Sequence, residues 1–288
     1  MKLMRYGIKG WERPALLDRD GQVRDLSAIV PDIDAAVLSR DGLAQLRRID
    51  TASLPLVPVV TRIAPPYTGM GKFICVGLNY ADHALEAGLA TPAEPVLFLK
   101  AGSAVIGCTD PVVLPKGSAK ADWEVELGVV IGTAARHVGE SDALQYVAGY
   151  CVTNDLSERE FQLERGGQWD KGKGCDTFGP IGPWLVTADE VPDPQNLDLW
   201  LDVNGHRYQS GNTRNMIFSV AHLVSYISRF MTLYPGDIIS TGTPAGVGMA
   251  QKPFPVYLQP GDRMQFGVTG LGQQHLVVHA WEPGSIDG

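Results

Sequence analysis

The chain is poor in cysteine. Its 288 residues hold four, at Cys75, Cys108, Cys151 and Cys175, and no two form a C-x-x-C pair. Thiols scattered in this way fit neither a disulfide framework nor a cysteine zinc site, and they read as reduced. Basic runs are missing, and the net charge is −8. A nucleic-acid partner is therefore not expected. No apolar run approaches the roughly 20 residues that cross a bilayer. The opening MKLMRYGIKGWERP has no apolar signal-peptide core. The expectation is a cytoplasmic protein with no membrane association. Nucleotide-phosphate signatures are incomplete as well. No glycine loop ends in Gly-Lys-Ser/Thr, and no full G-x-G-x-x-G follows a strand in a βαβ unit. Internal repeats and low-complexity tracts are absent.

Glycine (33) and proline (20) are abundant, which points to many turns and short strands. At 44% hydrophobic and 19% charged, the chain has the composition of an ordinary globular protein with a real core. Residues 1–68 read as a small α+β domain. KLMRYG, RPALLD and GQVRDL are short strands, and DIDAAVLSRDGLAQLRRID carries helical spacing. The Pro/Gly-rich PLVPVVTRIAPPYTGMG marks the boundary. Residues 69–288 read as a strand-dominated domain. In it, YADHALEAGL is a short helix, with Asn79 as its N-cap and Gly88 as its stop. Asn204-Gly205 lies between two alternating runs, a hairpin signal. MIFSVAHLVSYISRFM has helical periodicity, with Ile217, Val220, Ala221, Val224, Ile227 and Phe230 on one side. The expected class is mainly β with few helices.

One apolar strand carries two acids. In DWEVELGVVI, Glu124 and Glu126 share a face because side chains alternate along a strand. One reading is a half-exposed strand with both glutamates in solvent. The other is a buried cluster. The unbroken apolar run Val129–Ile131 favours burial on both faces. Asp155, just past another apolar strand, would add a third carboxylate if the two strands are neighbours. Three such anions in a dry site need a proton or a cation. An all-oxygen donor set favours Mg²⁺, Mn²⁺ or Ca²⁺ over Zn²⁺.

Other residues bear chemistry. His83 and Glu86, three apart on the short helix, share a face. That spacing serves a carboxylate-oriented general base and equally an exposed ion pair. Lys171 and Lys173 sit among glycines in QWDKGKGCDTFGPIGPW, where a lysine can meet a substrate acid or simply keep a loop soluble. STGTPAGVG follows an apolar strand. Its amides and the hydroxyls of Thr241 and Thr243 are candidates to hold an anion.

Taken together and in order, GLNYADHALEAG, DWEVELGVVIG, GYCVTNDLSEREFQ, GKGCDTFGPIGPW and STGTPAGVG resemble the fumarylacetoacetate hydrolase superfamily over about residues 72–280. The resemblance implies a mixed β-sandwich roll, usually a homodimer. It implies Mg²⁺ or Mn²⁺ held by Glu124, Glu126 and Asp155, and a water-activating pair, His83 and Glu86. Lys173 would contact substrate, with Arg159, Gln162 and Thr243 completing the substrate site. The N-terminal region is short beside the SH3-like domain of the eukaryotic tyrosine-catabolic enzyme, which points away from fumarylacetoacetate. The insert QLERGGQWDKGKGCDTFGPIGPW is similar to that of bacterial 2,4-diketo-3-deoxy-sugar-acid hydrolases. The implied reaction is hydrolysis of an acylpyruvate such as 2,4-diketo-3-deoxy-L-rhamnonate or -L-fuconate to pyruvate and lactate. Oxaloacetate decarboxylation and 2-hydroxyhepta-2,4-diene-1,7-dioate isomerisation are rivals within the superfamily. A non-catalytic metal or sugar-acid binding protein is the rival outside it.

Overall fold

The computed structural model describes residues 1–86, 88 and 90–285. An eleven-stranded sheet forms the spine. Its main path runs Val23–Asp25, Arg13–Leu17, Lys2–Tyr6, Gly179–Thr187, Val147–Asn154, Val125–Ile131, Ile238–Ser240, Phe73–Gly77, Val96–Lys100. A five-stranded sheet runs His206–Asn212, Asp198–Val203, Arg263–Val268, Gly272–His279, Val112–Val113. Most pairings are antiparallel, with Ile238–Ser240 parallel to Phe73–Gly77. The expected β-rich α+β class is what the chain adopts.

Why Val125–Ile131 is apolar on both faces follows from its place in the sheet. Trp123, Val125, Leu127, Val129 and Ile131 join the core between the two sheets, beside Leu201 and Phe266. Val130 points to the opposite face, into a second core with Cys151, Ile181 and Ile238. That second core also takes Leu3, Leu16, Val37 and Leu43 from the N-terminal segment. The small N-terminal region therefore extends the same sheet, pairing Lys2 with Val186 and Leu3 with Leu185. Glu124, Glu126, Gly128 and Val130 share one face, and that face changes character along its length. At its far end the N-terminal segment covers it with apolar side chains; at its near end the carboxylates are left for other partners.

Local signals held in several places. Asn204 (φ 53°) and Gly205 (φ 81°) form the tight turn between Asp198–Val203 and His206–Asn212, the left-handed pair that Asn-Gly favours. Others need correction. The helical stretch near residue 40 is two short helices, Ala35–Leu38 and Arg40–Leu46, because Ser39 turns to extended backbone and caps the second. The later helix is only Val220–Ile227, capped by Ser219; Phe230 lies beyond it and is exposed. Asn79 does not cap the helix Ala81–Glu86. Its amide is buried, donating to Phe218 O and Thr241 O and accepting from Phe218 N. It ties the helix entry to two neighbouring segments. Gly88 has φ +67°, as a helix-stopping glycine requires, while Ala87 and Leu89 of that predicted helix lie outside the described residues.

Candidate functional site

Strand register brings the acids together. Val125 pairs with Asn154, so Glu124 and Asp155 face each other one step further on. Asp155 N donates to Glu124 O at 2.8 Å, and Glu124 N to Asn154 Oδ1 at 2.8 Å. Glu124, Glu126 and Asp155 each present an oxygen within 4.8 Å of the others, and all three are buried. The solvent-facing alternative for the two glutamates is thereby excluded.

Charge is nearly balanced around them. Lys173 Nζ donates to Glu124 Oε2 and Asp155 Oδ2, both at 2.7 Å. Lys100 Nζ donates to Asp155 Oδ1 at 2.5 Å and to Leu156 O at 2.9 Å. Arg159 bridges Glu124 Oε1 at 2.6 Å and Asp122 Oδ2 at 2.9 Å. Four carboxylates thus meet three cations, and Glu126 is the one without a cationic partner among the described residues. Its Oε2 accepts only neutral donors, Ser240 Oγ at 2.6 Å and Gly242 N at 2.8 Å.

The electrostatics follow. Burial, then the neighbouring Asp155 and Glu124, push the Glu126 carboxyl well above the usual range. Burial also works against the Glu124 charge, but Lys173 and Arg159 outweigh it and hold that carboxyl far below normal. For Lys173, burial opposes the charge and Asp155 and Glu124 more than restore it, so its pKa is raised.

This donor set fits a hard divalent cation. It supplies three carboxylates, and one of them lacks a countercharge among the described residues. Glu126 Oε1 makes no hydrogen bond among the described residues. The bonded oxygens keep a second acceptor direction. Lys100 is the structural counter-ion of the cluster. In the metal-free protein, Lys100→Met should destabilise folding by roughly 3–5 kcal/mol, because it strands part of a buried charge. Urea unfolding in chelator checks this, and a loss below about 1 kcal/mol would remove Lys100 from that role.

The His–Glu pair lines the same cavity as Glu124 and Glu126. His83 is buried on the helix Ala81–Glu86, with Nδ1 3.3 Å from Glu86 Oε2. Glu86 is held in turn by Gly246 N, at 2.9 and 3.0 Å from its two oxygens. A carboxylate at Nδ1 favours the proton there and leaves Nε2 as the acceptor. His83 and Glu86 line the same cavity of about 330 Å³ as Glu124, Glu126, Arg159, Gln162, Lys173 and Thr243. Phe98, Trp169 and Met249 add apolar wall.

The glycine loop differs from expectation. Gly242 N serves Glu126, Gly246 N serves Glu86, and Gly248 N and Met249 N serve Asp122. The hydroxyls of Thr241 and Thr243 donate to Leu127 O and Val125 O. The anions that this loop holds are the protein's own. Thr243 still lines the cavity, but its hydroxyl also accepts from Gln209 Nε2 at 2.8 Å. Lys171 is separate from Lys173: it is exposed and donates to Arg165 O.

Sequence reading missed Asp122, Lys100 and Ser240. Lys100 had a usable signal: it ends the strand VLFLK on the face of Phe98, so it too had to be buried. Asp122 sits two residues before Glu124, on a short strand that pairs with Ser157–Glu158 instead of continuing the next one. Its two-residue spacing from Glu124 repeats the one that joins Glu124 to Glu126, and that was a usable signal.

Comparison with known proteins places these features. The family described as fumarylacetoacetate (FAA) hydrolase C-terminal matches residues 72–279. A Burkholderia multivorans protein, provisionally named a hydrolase, is 64% identical over 280 residues, 97% of this chain and 99% of that one. A fumarylacetoacetate hydrolase structure from Exiguobacterium antarcticum is 36% identical with a TM-score of 0.85, covering 98% of this chain and 100% of its own. A maleylpyruvate hydrolase from Sphingobium sp. SYK-6, solved with manganese(II) and pyruvate, is 31% identical with a TM-score of 0.81, over 98% and 100%. No helix among the described residues is long and apolar enough to cross a membrane.

Proposed function

The chain belongs to the fumarylacetoacetate hydrolase family, and on that premise we propose that it is a divalent-metal-dependent hydrolase cleaving the C3–C4 bond of a 2,4-diketo acid. The observation that carries this reading is the meeting, in one cavity, of Glu124 and Glu126, with Asp155 clustered behind them, and the His83–Glu86 pair. Either alone serves many chemistries; together they supply a cation site and a base for water.

Mg²⁺ or Mn²⁺ held by Glu124, Glu126 and Asp155 would supply electrophilic stabilisation of the negative charge that develops on the substrate's keto-acid oxygens. The side chains do the rest. Arg159 and Gln162 meet the substrate carboxylate at the cavity wall. Glu86 holds His83 in the tautomer whose Nε2 takes a proton from water. The hydroxide formed attacks the C4 carbonyl, the C3–C4 bond breaks, and C4 leaves as the new carboxylic acid. The pyruvyl fragment departs as an enolate and recovers a proton at C3, so one water is consumed. Lys173 lies beside the triad and adds positive charge as that enolate forms. Thr243 borders the same wall, with an oxygen lone pair as its remaining polar contribution.

The narrower substrate is 2,4-diketo-3-deoxy-L-rhamnonate or -L-fuconate, giving pyruvate and lactate in sugar-acid catabolism. The sequence of the 162–184 insert supports it, and the manganese and pyruvate in the maleylpyruvate hydrolase support the pyruvate-releasing class. A homodimer belongs to the same proposal and is tested by light scattering. The deciding assay is pyruvate release from a panel of acylpyruvates, diketo-deoxy sugar acids and oxaloacetate, with Mg²⁺ and again after rigorous chelation. Metal-dependent pyruvate release from a diketo acid is expected. Full activity in chelator would sink the metal requirement, and turnover of oxaloacetate alone would favour decarboxylation.

A further inference from the structure

Asp122 is fully buried and has no place in the chemistry above, yet its carboxylate is saturated with donors. Oδ1 accepts from Trp123 N at 2.7 Å and Gly248 N at 2.6 Å. Oδ2 accepts from Met249 N at 3.0 Å and Arg159 Nε at 2.9 Å. It therefore grips two things at once: the 247–250 segment, which walls the cavity through Val247, Met249 and Ala250, and the guanidinium on the far side. The grip needs close approach. A Cβ on Gly248 would stand 2.7 Å from Asp122 Oδ1 and 2.1 Å from Val256 O, so only glycine lets the loop come this near.

Arg159 has five N–H donors in a rigid fork. Nε goes to Asp122, Nη2 to Glu124 Oε1 and Nη1 to Gln162 Oε1 at 3.0 Å. That leaves one N–H on each terminal nitrogen of a side chain that borders the cavity. Two donors on neighbouring nitrogens suit a carboxylate. Their aim depends on what holds Nε, and what holds Nε also holds the loop. Asp122 makes no bond to Glu124, Glu126 or Asp155 side chains.

We infer that Asp122 is a positioning residue for recognition of an acidic substrate, joining Arg159 and the 247–250 wall into one unit that governs ligand affinity and leaves metal affinity nearly untouched. The inference rests on the proposed reading of the cavity as a keto-acid site. A carboxylate seated on Arg159 then also stills the loop, because both lean on the Asp122 carboxylate and share its Oδ2.

The test uses binding, with Mn²⁺ alone and then pyruvate on the Mn²⁺-loaded full chain, measured by calorimetry for the parent and for Asp122→Asn. Mn²⁺ affinity should stay within about 3-fold, and pyruvate affinity should fall by at least about 10-fold, the scale of one charged hydrogen bond. Equal pyruvate affinity in a folded variant overturns the inference. So does a parallel fall in Mn²⁺ affinity, which would make Asp122 a support of the metal cluster. Because Asp122→Asn can fail to fold, amide hydrogen exchange on the unaltered protein gives a second readout. Pyruvate added to the Mn²⁺ form should slow exchange across residues 246–250 by about 10-fold or more, and no change there overturns the inference. A parent that binds Mn²⁺ but not pyruvate overturns the keto-acid reading and this inference together. A parent that binds both, with no loop protection, overturns only the inference.

Discussion

Glu126→Gln should abolish metal-dependent turnover, by on the order of 10³-fold, while leaving the metal-free protein as stable as before, within about 1 kcal/mol. The two halves have one cause. Among the described residues Glu126 is the carboxylate without a cation, held by Ser240 and Gly242, and burial beside Asp155 and Glu124 already disfavours its charge. Glutamine keeps the shape and the accepting oxygen for both donors, so the empty cluster loses nothing it was using. The divalent ion loses an anionic ligand. Asp155→Asn should behave differently, with a loss of roughly 3–5 kcal/mol in the metal-free protein, because Lys100 and Lys173 both lean on Asp155. Urea unfolding with and without Mn²⁺, with Mn²⁺ titration of both variants, separates the cases. Equal destabilisation by the two would show that Glu126 is paired in solution and that the cluster does not await a cation.

His83→Ala should lower hydrolysis by about 10²- to 10⁴-fold with Mn²⁺ affinity unchanged. His83 faces the cavity from a helix that carries no triad residue, and its ring partner is Glu86, not a triad carboxylate. Removing it takes away the water's proton acceptor and leaves the cation site whole. Glu86→Gln should fall less, since Gly246 N still anchors the amide oxygen and His83 keeps its place. The same variant distinguishes the rival reaction. Decarboxylation of oxaloacetate needs no water attack, so His83→Gln should spare that turnover and cripple diketo-acid hydrolysis. Unchanged hydrolysis in His83→Ala would take the histidine out of the mechanism.

Much of the candidate site's geometry is legible in the sequence, and the residues show why. Glu124 and Glu126 announced themselves because strand alternation is a local rule: two residues apart means one face. His83 and Glu86 did so because helix spacing is equally local. The convergence of Asp155 was only conditional, since it required a neighbouring strand and a particular register. The fold supplies both, with Val125 opposite Asn154. Lys171 and Lys173 were indistinguishable in a glycine-rich segment, yet one is exposed and the other fully enclosed. The glycine loop looked like a cradle for a foreign anion. Its amides in fact face Glu126, Glu86 and Asp122, which come from elsewhere in the chain.

The sequence by itself determined the β-rich class, the Asn-Gly hairpin, the paired acids on one strand face, the His–Glu helix pair and the family resemblance. Each rests on periodicities of two or 3.6 residues or on short ordered motifs, which neighbouring residues specify. Only the tertiary structure decided which cation answers which carboxylate. Lys100 reaches Asp155, Lys173 spans Glu124 and Asp155, and Arg159 joins Glu124 to Asp122, across separations of 18 to 55 residues. Glu126 is left over. Charge pairing acts through space and is strong only where water is excluded, and strand order and core packing settle where that is.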